Sequence, residues 1–191
     1  MKNQIQSIFQ EAVTVQSKIS EDSLLIEQLE QCIQKITDCF RNGGKLLVCG
    51  NGGSAGQAEH LVAEFTGRFK KDRPPLDAAT LFGPPSQLTA IANDYGYHQV
   101  FKRALMAAGK PGDILLCLTT SGNSENILEA LAQSGEMGVY SILWTGAKGG
   151  RAADMSDMTI RAPHSDTARI QECHLIFCHI VCELIERDIF G

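Results

Sequence analysis

Lys45-Leu-Leu-Val-Cys-Gly-Asn-Gly-Gly-Ser-Ala-Gly-Gln-Ala-Glu-His-Leu-Val-Ala-Glu-Phe65 decides how the rest of the chain is read. A short apolar run of strand character, Leu46 to Cys49, leads into a glycine-rich bend at Gly50 to Gly53, and apolar residues then recur at helical spacing. The spacing predicts a strand, a turn and a helix in succession. Glycines permit a tight turn and close backbone approach, and the first N–H groups of a helix have no partners within it. An anion fits there, and a phosphate fits best. The same helix carries His60 and Glu64, which at i, i+4 share one face.

Before this unit, residues 3 to 19 and 23 to 41 read as two helices. In the second, Leu25, Leu29, Cys32, Ile33, Ile36 and Phe40 repeat at helical spacing until Asn42-Gly43-Gly44 stops it. Their apolar stripes must be buried on the sheet or on another subunit. After the unit come a loop from Arg68 to Pro75, a short strand from Ala78 to Phe82, and Gly83-Pro-Pro85. A short helix from Ser86 to Ala92 then leads to a polar turn, Asn93-Asp94-Tyr95-Gly96, and a helix from His98 to Ala107. A second strand-turn-helix unit echoes the first. Asp113 to Leu118 is a buried-strand run, Thr119-Thr-Ser-Gly-Asn-Ser124 a hydroxyl-rich bend, and Glu125 to Gln133 a helix. Strands at Val139 to Trp144 and Met158 to Ala162 precede a last helix, Thr167 to Asp188.

Alternating strands and helices predict an α/β fold: a parallel sheet flanked by helices on both faces, with N-terminal helices and a long C-terminal helix. Ligands of such sheets sit beyond the carboxyl ends of the strands, so the two polar bends can face one ligand. With 191 residues, one domain is expected over 1–191, made of a helical segment 1–42 and an α/β core 45–191.

No apolar run is long enough for a membrane span, and the glutamine-rich N-terminus lacks the layout of a secretory signal, so a cytoplasmic protein is expected. Net charge is −5, and the one basic cluster, Arg68, Lys70, Lys71 and Arg73, is too small for a nucleic-acid footprint. The seven cysteines form no CxxC pair and fall where small apolar residues are wanted, which favours reduced core thiols. Cys178, Cys182 and His174 share a helical face, but apolar neighbours make packing the stronger reading there.

Gly50-Asn-Gly52-Gly-Ser-Ala55 also fits a dinucleotide fingerprint, but the next strand ends without the acidic residue that would hold a ribose. No GxxxxGK[ST] occurs. Thr119, Thr120, Ser121 and Ser124 offer four hydroxyls at one helix start; a cap needs one, so an oxyanion cradle is favoured. His60 and Glu64 alone would read as a solvent-facing pair, and their position directly after the phosphate turn is what raises them. In the last helix, every residue between Leu175 and Ile185 is apolar or Cys except His179 and Glu183, which suggests a subunit interface. His179 is either a satisfied core group or a functional one.

Asn51-Gly-Gly-Ser54, His60-x-x-x-Glu64 with Thr66-Gly-Arg68, Ala90 to Gly96, Thr120 to Ser124, and Ala168 to Glu172 with His179 together resemble the phosphoheptose isomerases of the sugar-isomerase (SIS) fold. The resemblance spans nearly the whole chain. It implies a single SIS domain that interconverts sedoheptulose 7-phosphate and D-glycero-D-manno-heptose 7-phosphate for bacterial heptose, lipopolysaccharide or surface-glycan synthesis. It further implies a homotetramer with active sites between subunits, and one Zn2+ per subunit held by His60, Glu64, Gln171 and His179. Glu64 and His179 would be the proton-transfer pair. Substrate contacts would come from Asn51, Gly52, Gly53, Ser54, Glu64, Arg68, Asn93, Asp94, Thr119, Thr120, Ser121, Ser124 and Gln171.

Gln171 and His179 are eight residues apart, about 12 Å along a straight helix, so the helix is expected to bend or the two to serve one ion from different subunits. Glu183, one turn beyond His179, is expected to orient the imidazole. Thr119 for Ser, Lys148 for an acidic residue, Gly83-Pro-Pro85 and Ala168 for Asp depart from the family pattern in the loops. The competing readings are a non-catalytic SIS tetramer binding the replication initiator DnaA, a sugar-phosphate sensor, and an isomerase of another sugar phosphate. Retention of His60, Glu64, Gln171 and His179 together favours the enzyme.

Overall fold

The computed structural model describes residues 1–191. Two N-terminal helices, α1 (Lys2–Glu21) and α2 (Ser23–Arg41), precede the sheet. Asp22 separates them because its carboxylate accepts from the Leu25 N–H and caps the second helix. There follow β1 (Leu46–Gly50), α3 (Gly53–Thr66), β2 (Ala78–Thr80), α4 (Pro85–Tyr95), a one-turn 3-10 segment (Tyr97–Gln99) and α5 (Val100–Ala108). The chain closes with β3 (Ile114–Leu118), α6 (Glu125–Met137), β4 (Tyr140–Gly146), β5 (Met158–Ala162) and α7 (Thr167–Phe190). The five strands are parallel in the order β2-β1-β3-β4-β5.

Every residue of β1 and β3 is buried, as continuous apolar runs in a sheet covered on both faces require. Alternate side chains serve opposite faces. Leu46, Val48, Leu116, Leu118, Ile142 and Trp144 pack with α2, α3 and α7, while Leu47, Cys49, Leu115, Cys117 and Leu143 pack with α5 and α6. Connections leave β1 and β3 in opposite directions along the sheet. The gap between them is the switch point where ligands bind in such folds.

α4 differs from the sequence reading. It runs through Asn93, Asp94 and Tyr95 and ends at Gly96, whose φ of 87° stops it, so the expected polar turn is the last turn of a helix. β2 stops at Thr80, two residues early, because Leu81 makes only one further bond, from its N–H to the Val48 carbonyl. α1 leaves Ile5, Ile8, Phe9 and Val13 about half exposed or more, a stripe at helical spacing with no partner in this chain. No helix is long and apolar enough to cross a membrane.

Candidate functional site

Gly50 lies opposite Leu118 in the β1–β3 register, so the bends after the two strands stand side by side. One opens α3 from Gly52, which at φ 57° takes a conformation suited to glycine. The other opens α6 from Ser124. Neither helix start receives a side-chain cap. Between them lies a cavity of about 310 Å³ lined by Asn51 to Ser54, Leu118 to Ser121, Ser124, Thr167 and Gln171. Two uncapped helix N-termini and a ring of hydroxyls form a cradle for a doubly charged oxyanion.

The cradle is held from behind. Asn51 and Asn126 exchange two amide bonds of 2.9 Å, and the Tyr97 hydroxyl donates to Asn51 Oδ1 at 3.0 Å. The Gly122 N–H donates to Thr119 Oγ1 at 3.2 Å. Gly122 has φ 66°, and a Cβ there would stand 1.8 Å from the Gly149 carbonyl oxygen, so the hydroxyl bend packs backbone to backbone on the loop after β4. A Cβ on Gly53 would meet the Gln171 amide at 2.7 Å; glycine there lets Gln171 lie over the start of α3. Gln57 Nε2 secures the Gln171 backbone by donating to its carbonyl at 2.5 Å.

A second cluster lies further along α3 and α7. His60 Nε2 and His179 Nε2 stand 3.0 Å apart with rings edge to face, and Glu64 Oε1 is 3.8 Å from His60 Nε2. Phe69 stacks on the other side of His179, with centroids 5.9 Å apart. Two imidazole nitrogens and a carboxylate at a solvent-accessible spot suit a divalent cation by chemistry. No three His, Cys, Asp or Glu side chains stand close enough together to enclose an ion as they lie.

Of the residues named from sequence, Asn51 to Ser54, Thr119 to Ser121, Ser124 and Gln171 share the cradle, and His60, Glu64 and His179 share the second cluster. α7 is one unbroken helix, with Gln171 at the cradle and His179 two turns away at the other cluster. Arg68 is exposed on the loop after α3. Asn93 and Asp94 bond to each other at 2.9 Å at the end of α4, outside the cradle lining. Glu183 pairs with Lys70 Nζ at 2.6 Å.

Sequence reasoning missed Thr167, the first residue of α7 and part of the lining. Its place directly before Ala168 in a family motif was the available signal. It also missed Glu186, which is buried against the loop at residues 69 to 73. Burial alone would push the Glu186 carboxyl up, but the N–H groups of Lys70, Phe69 and Lys71 and the Arg73 guanidinium outweigh it and hold it below the usual carboxylate range. Cys178 is buried, and burial pushes its thiol up to about 12, so at neutral pH it stays a protonated core thiol. His174, fully buried beside Trp144 and Phe177, is driven by burial down to about 4 and stays neutral.

The model of the SIS domain matches residues 8–146, and the chain belongs to the SIS-domain family. The phosphoheptose isomerase of Aneurinibacillus thermoaerophilus is 43% identical over 190 residues, which covers 100% of this chain and 96% of the relative. The solved phosphoheptose isomerase GmhA of Neisseria gonorrhoeae superposes with a TM-score of 0.91 at 38% identity, over 97% of this chain and 98% of that one. That of Francisella tularensis gives 0.92 at 36% identity, over 97% of each. Within the SIS-domain family, the chain falls among the phosphoheptose isomerases.

Proposed function

We propose that this protein is an aldose-ketose isomerase that interconverts sedoheptulose 7-phosphate and D-glycero-D-manno-heptose 7-phosphate in the cytoplasm, supplying heptose for lipopolysaccharide or other surface glycans. The observation that carries this reading is the presence in one chain of a phosphate cradle between the uncapped N-termini of α3 and α6 and, further along α3 and on α7, of a carboxylate beside two imidazoles.

The reaction moves a carbonyl between adjacent carbons. A proton leaves one carbon and returns to the other through an enediol, while a second proton passes between the two oxygens. Glu64 and His179 share this work, since a carboxylate and an imidazole both serve as general acid and base. The cradle holds the phosphate through the N-termini of α3 and α6 and the hydroxyls of Ser54, Thr119, Thr120, Ser121 and Ser124. Arg68, Asn93 and Asp94 supply the remaining sugar contacts. His60, Glu64 and His179 would hold a zinc ion, with Gln171 as the fourth ligand, and the bound ion supplies a Lewis acid for the carbonyl oxygen.

An assembly of chains completes the site. Glu64 lies ten residues beyond Ser54, about 15 Å along α3, further than the carbon chain of a heptose reaches. The proton-transfer pair therefore serves a phosphate held by a neighbouring chain, and Gln171 reaches the ion of a neighbour in the same way. The unpartnered stripe Ile5, Ile8, Phe9 and Val13 on α1, with exposed Leu175 and Ile176 on α7, offers the surface for a homotetramer.

The test is turnover of sedoheptulose 7-phosphate by purified protein, with and without a chelator. Turnover abolished by chelation and restored by zinc is the expected result. Failure of the folded, zinc-loaded oligomer to act on it would overturn the reading.

A further inference from the structure

The loop from Phe69 to Arg73 carries no residue of the proposed site, yet four of its donors converge on one buried carboxylate. Glu186 of α7 accepts from three consecutive backbone donors, the Phe69 N–H at 3.1 Å and the Lys70 and Lys71 N–H groups at 2.9 Å each, and from Arg73 Nε at 3.1 Å. The other end of the Arg73 guanidinium turns to α3, where Nη2 donates to the Glu64 carbonyl at 2.8 Å and Nη1 to the Phe65 carbonyl at 2.7 Å. Both side chains of the ion pair are 2% exposed.

A buried ion pair is a poor source of stability, because desolvating both charges offsets their attraction. Its use here lies in geometry. Arg73 satisfies carbonyls at the end of α3 that no helical N–H reaches, and one of them belongs to Glu64 itself. Glu186 sits on the helix that carries His179. The pair thus fixes the end of α3 against α7 at the level of the proton-transfer groups, and the loop it closes lays Phe69 on the His179 ring at an interplanar angle of 27°. His179 is held between Phe69 on one side and His60 on the other.

We propose that Arg73 and Glu186 are positioning residues of the isomerase, which set His179 against His60 and Glu64 by closing the loop that presses Phe69 onto the imidazole. The kinetic consequence rests on the isomerase reading; the placement of His179 does not. An error of about 1 Å in a proton-transfer group costs roughly a hundredfold in rate. The cradle, remote from the loop, should bind phosphate as before.

The test uses Glu186→Gln, Phe69→Leu and Phe69→Tyr in the full-length protein. Glu186→Gln leaves Arg73 without its counter-charge and can compromise folding, so Phe69→Leu, at a half-buried position, keeps the question answerable. Two readouts are taken: kcat against KM for sedoheptulose 7-phosphate, and the His179 imidazole proton resonance at one fixed pH, assigned with His179→Gln. The expected result is kcat lower by about 10- to 100-fold in Phe69→Leu and in folded Glu186→Gln with KM within about twofold, recovery in Phe69→Tyr, and a displaced His179 resonance in Phe69→Leu and Glu186→Gln but not in Phe69→Tyr. A folded Glu186→Gln with wild-type kcat and an undisplaced resonance would overturn the role of the pair. A folded Phe69→Leu with unchanged kcat would overturn the proposal. If the wild type turns over no sugar phosphate, the isomerase reading fails and the resonance alone decides, an undisplaced signal overturning the placement.

Discussion

Asn51 and Asn126 bond to each other twice, each amide donating to the other's oxygen at 2.9 Å, across 75 residues of sequence. The pair joins the bend after β1 to the first turn of α6, so the two halves of the phosphate cradle are fixed to one another. Asn126→Leu leaves Asn51 to the Tyr97 hydroxyl alone and lets the bends drift apart. KM for the phosphorylated substrate should rise by about an order of magnitude with a smaller fall in kcat, and stability should drop by about 1 to 3 kcal/mol. Steady-state kinetics and urea unfolding of the same preparation check both.

Glu64→Gln and His179→Gln remove the proposed proton-transfer groups without touching a buried contact, since Glu64 is only part-buried and His179 is exposed. Each should lower kcat by roughly 10² to 10⁴ while the thermal midpoint stays near that of the wild type. Single-turnover assays set beside thermal scans separate this outcome from general destabilisation.

His174 should make the fold acid-labile. Its folded pKa, about 4, lies below the ordinary 6.5, so the unfolded chain binds a proton that the native one refuses. The stability tied to its neutral form is complete above about pH 6.5 and is lost progressively as pH falls toward 4, amounting to roughly 3 kcal/mol. Urea midpoints measured from pH 7.5 to 4.5 should fall across this window, and His174→Leu should flatten that fall.

Two glycines predict opposite responses to alanine. At Gly122, φ is 66° and a Cβ would stand 1.8 Å from the Gly149 oxygen, so Gly122→Ala should cost about 3 kcal/mol or more and disrupt the hydroxyl bend. At Gly135, inside α6, a Cβ meets nothing within 4 Å, and Gly135→Ala should stabilise by about 0.5 to 1 kcal/mol. Thermal midpoints of the two variants, moving in opposite directions, check the pair.

Much of this was legible before any coordinates. Leu46 to Gly53 and Ile114 to Ser124 each carry strand, bend and helix start within a few residues, so composition and spacing sufficed to place both halves of the cradle. Asn93 and Asp94 were misread as a turn because polar residues at a helix end resemble a loop, and the deciding feature was the positive φ of Gly96. Arg73 and Glu186 could not be paired by reading, since 113 residues separate them and neither stands in a periodic pattern.

The sequence by itself determined the α/β class, the phosphate-binding bends and the face shared by His60 and Glu64, because each depends on interactions between residues a few positions apart. The tertiary structure alone decided which distant groups meet. Packing α3 alongside α7 brings His179 to His60 and leaves Gln171 at the cradle, and a buried ion pair ties a loop across both helices. Such contacts follow from how the helices settle on one face of the sheet, where apolar burial sets their approach, and no local spacing encodes that distance.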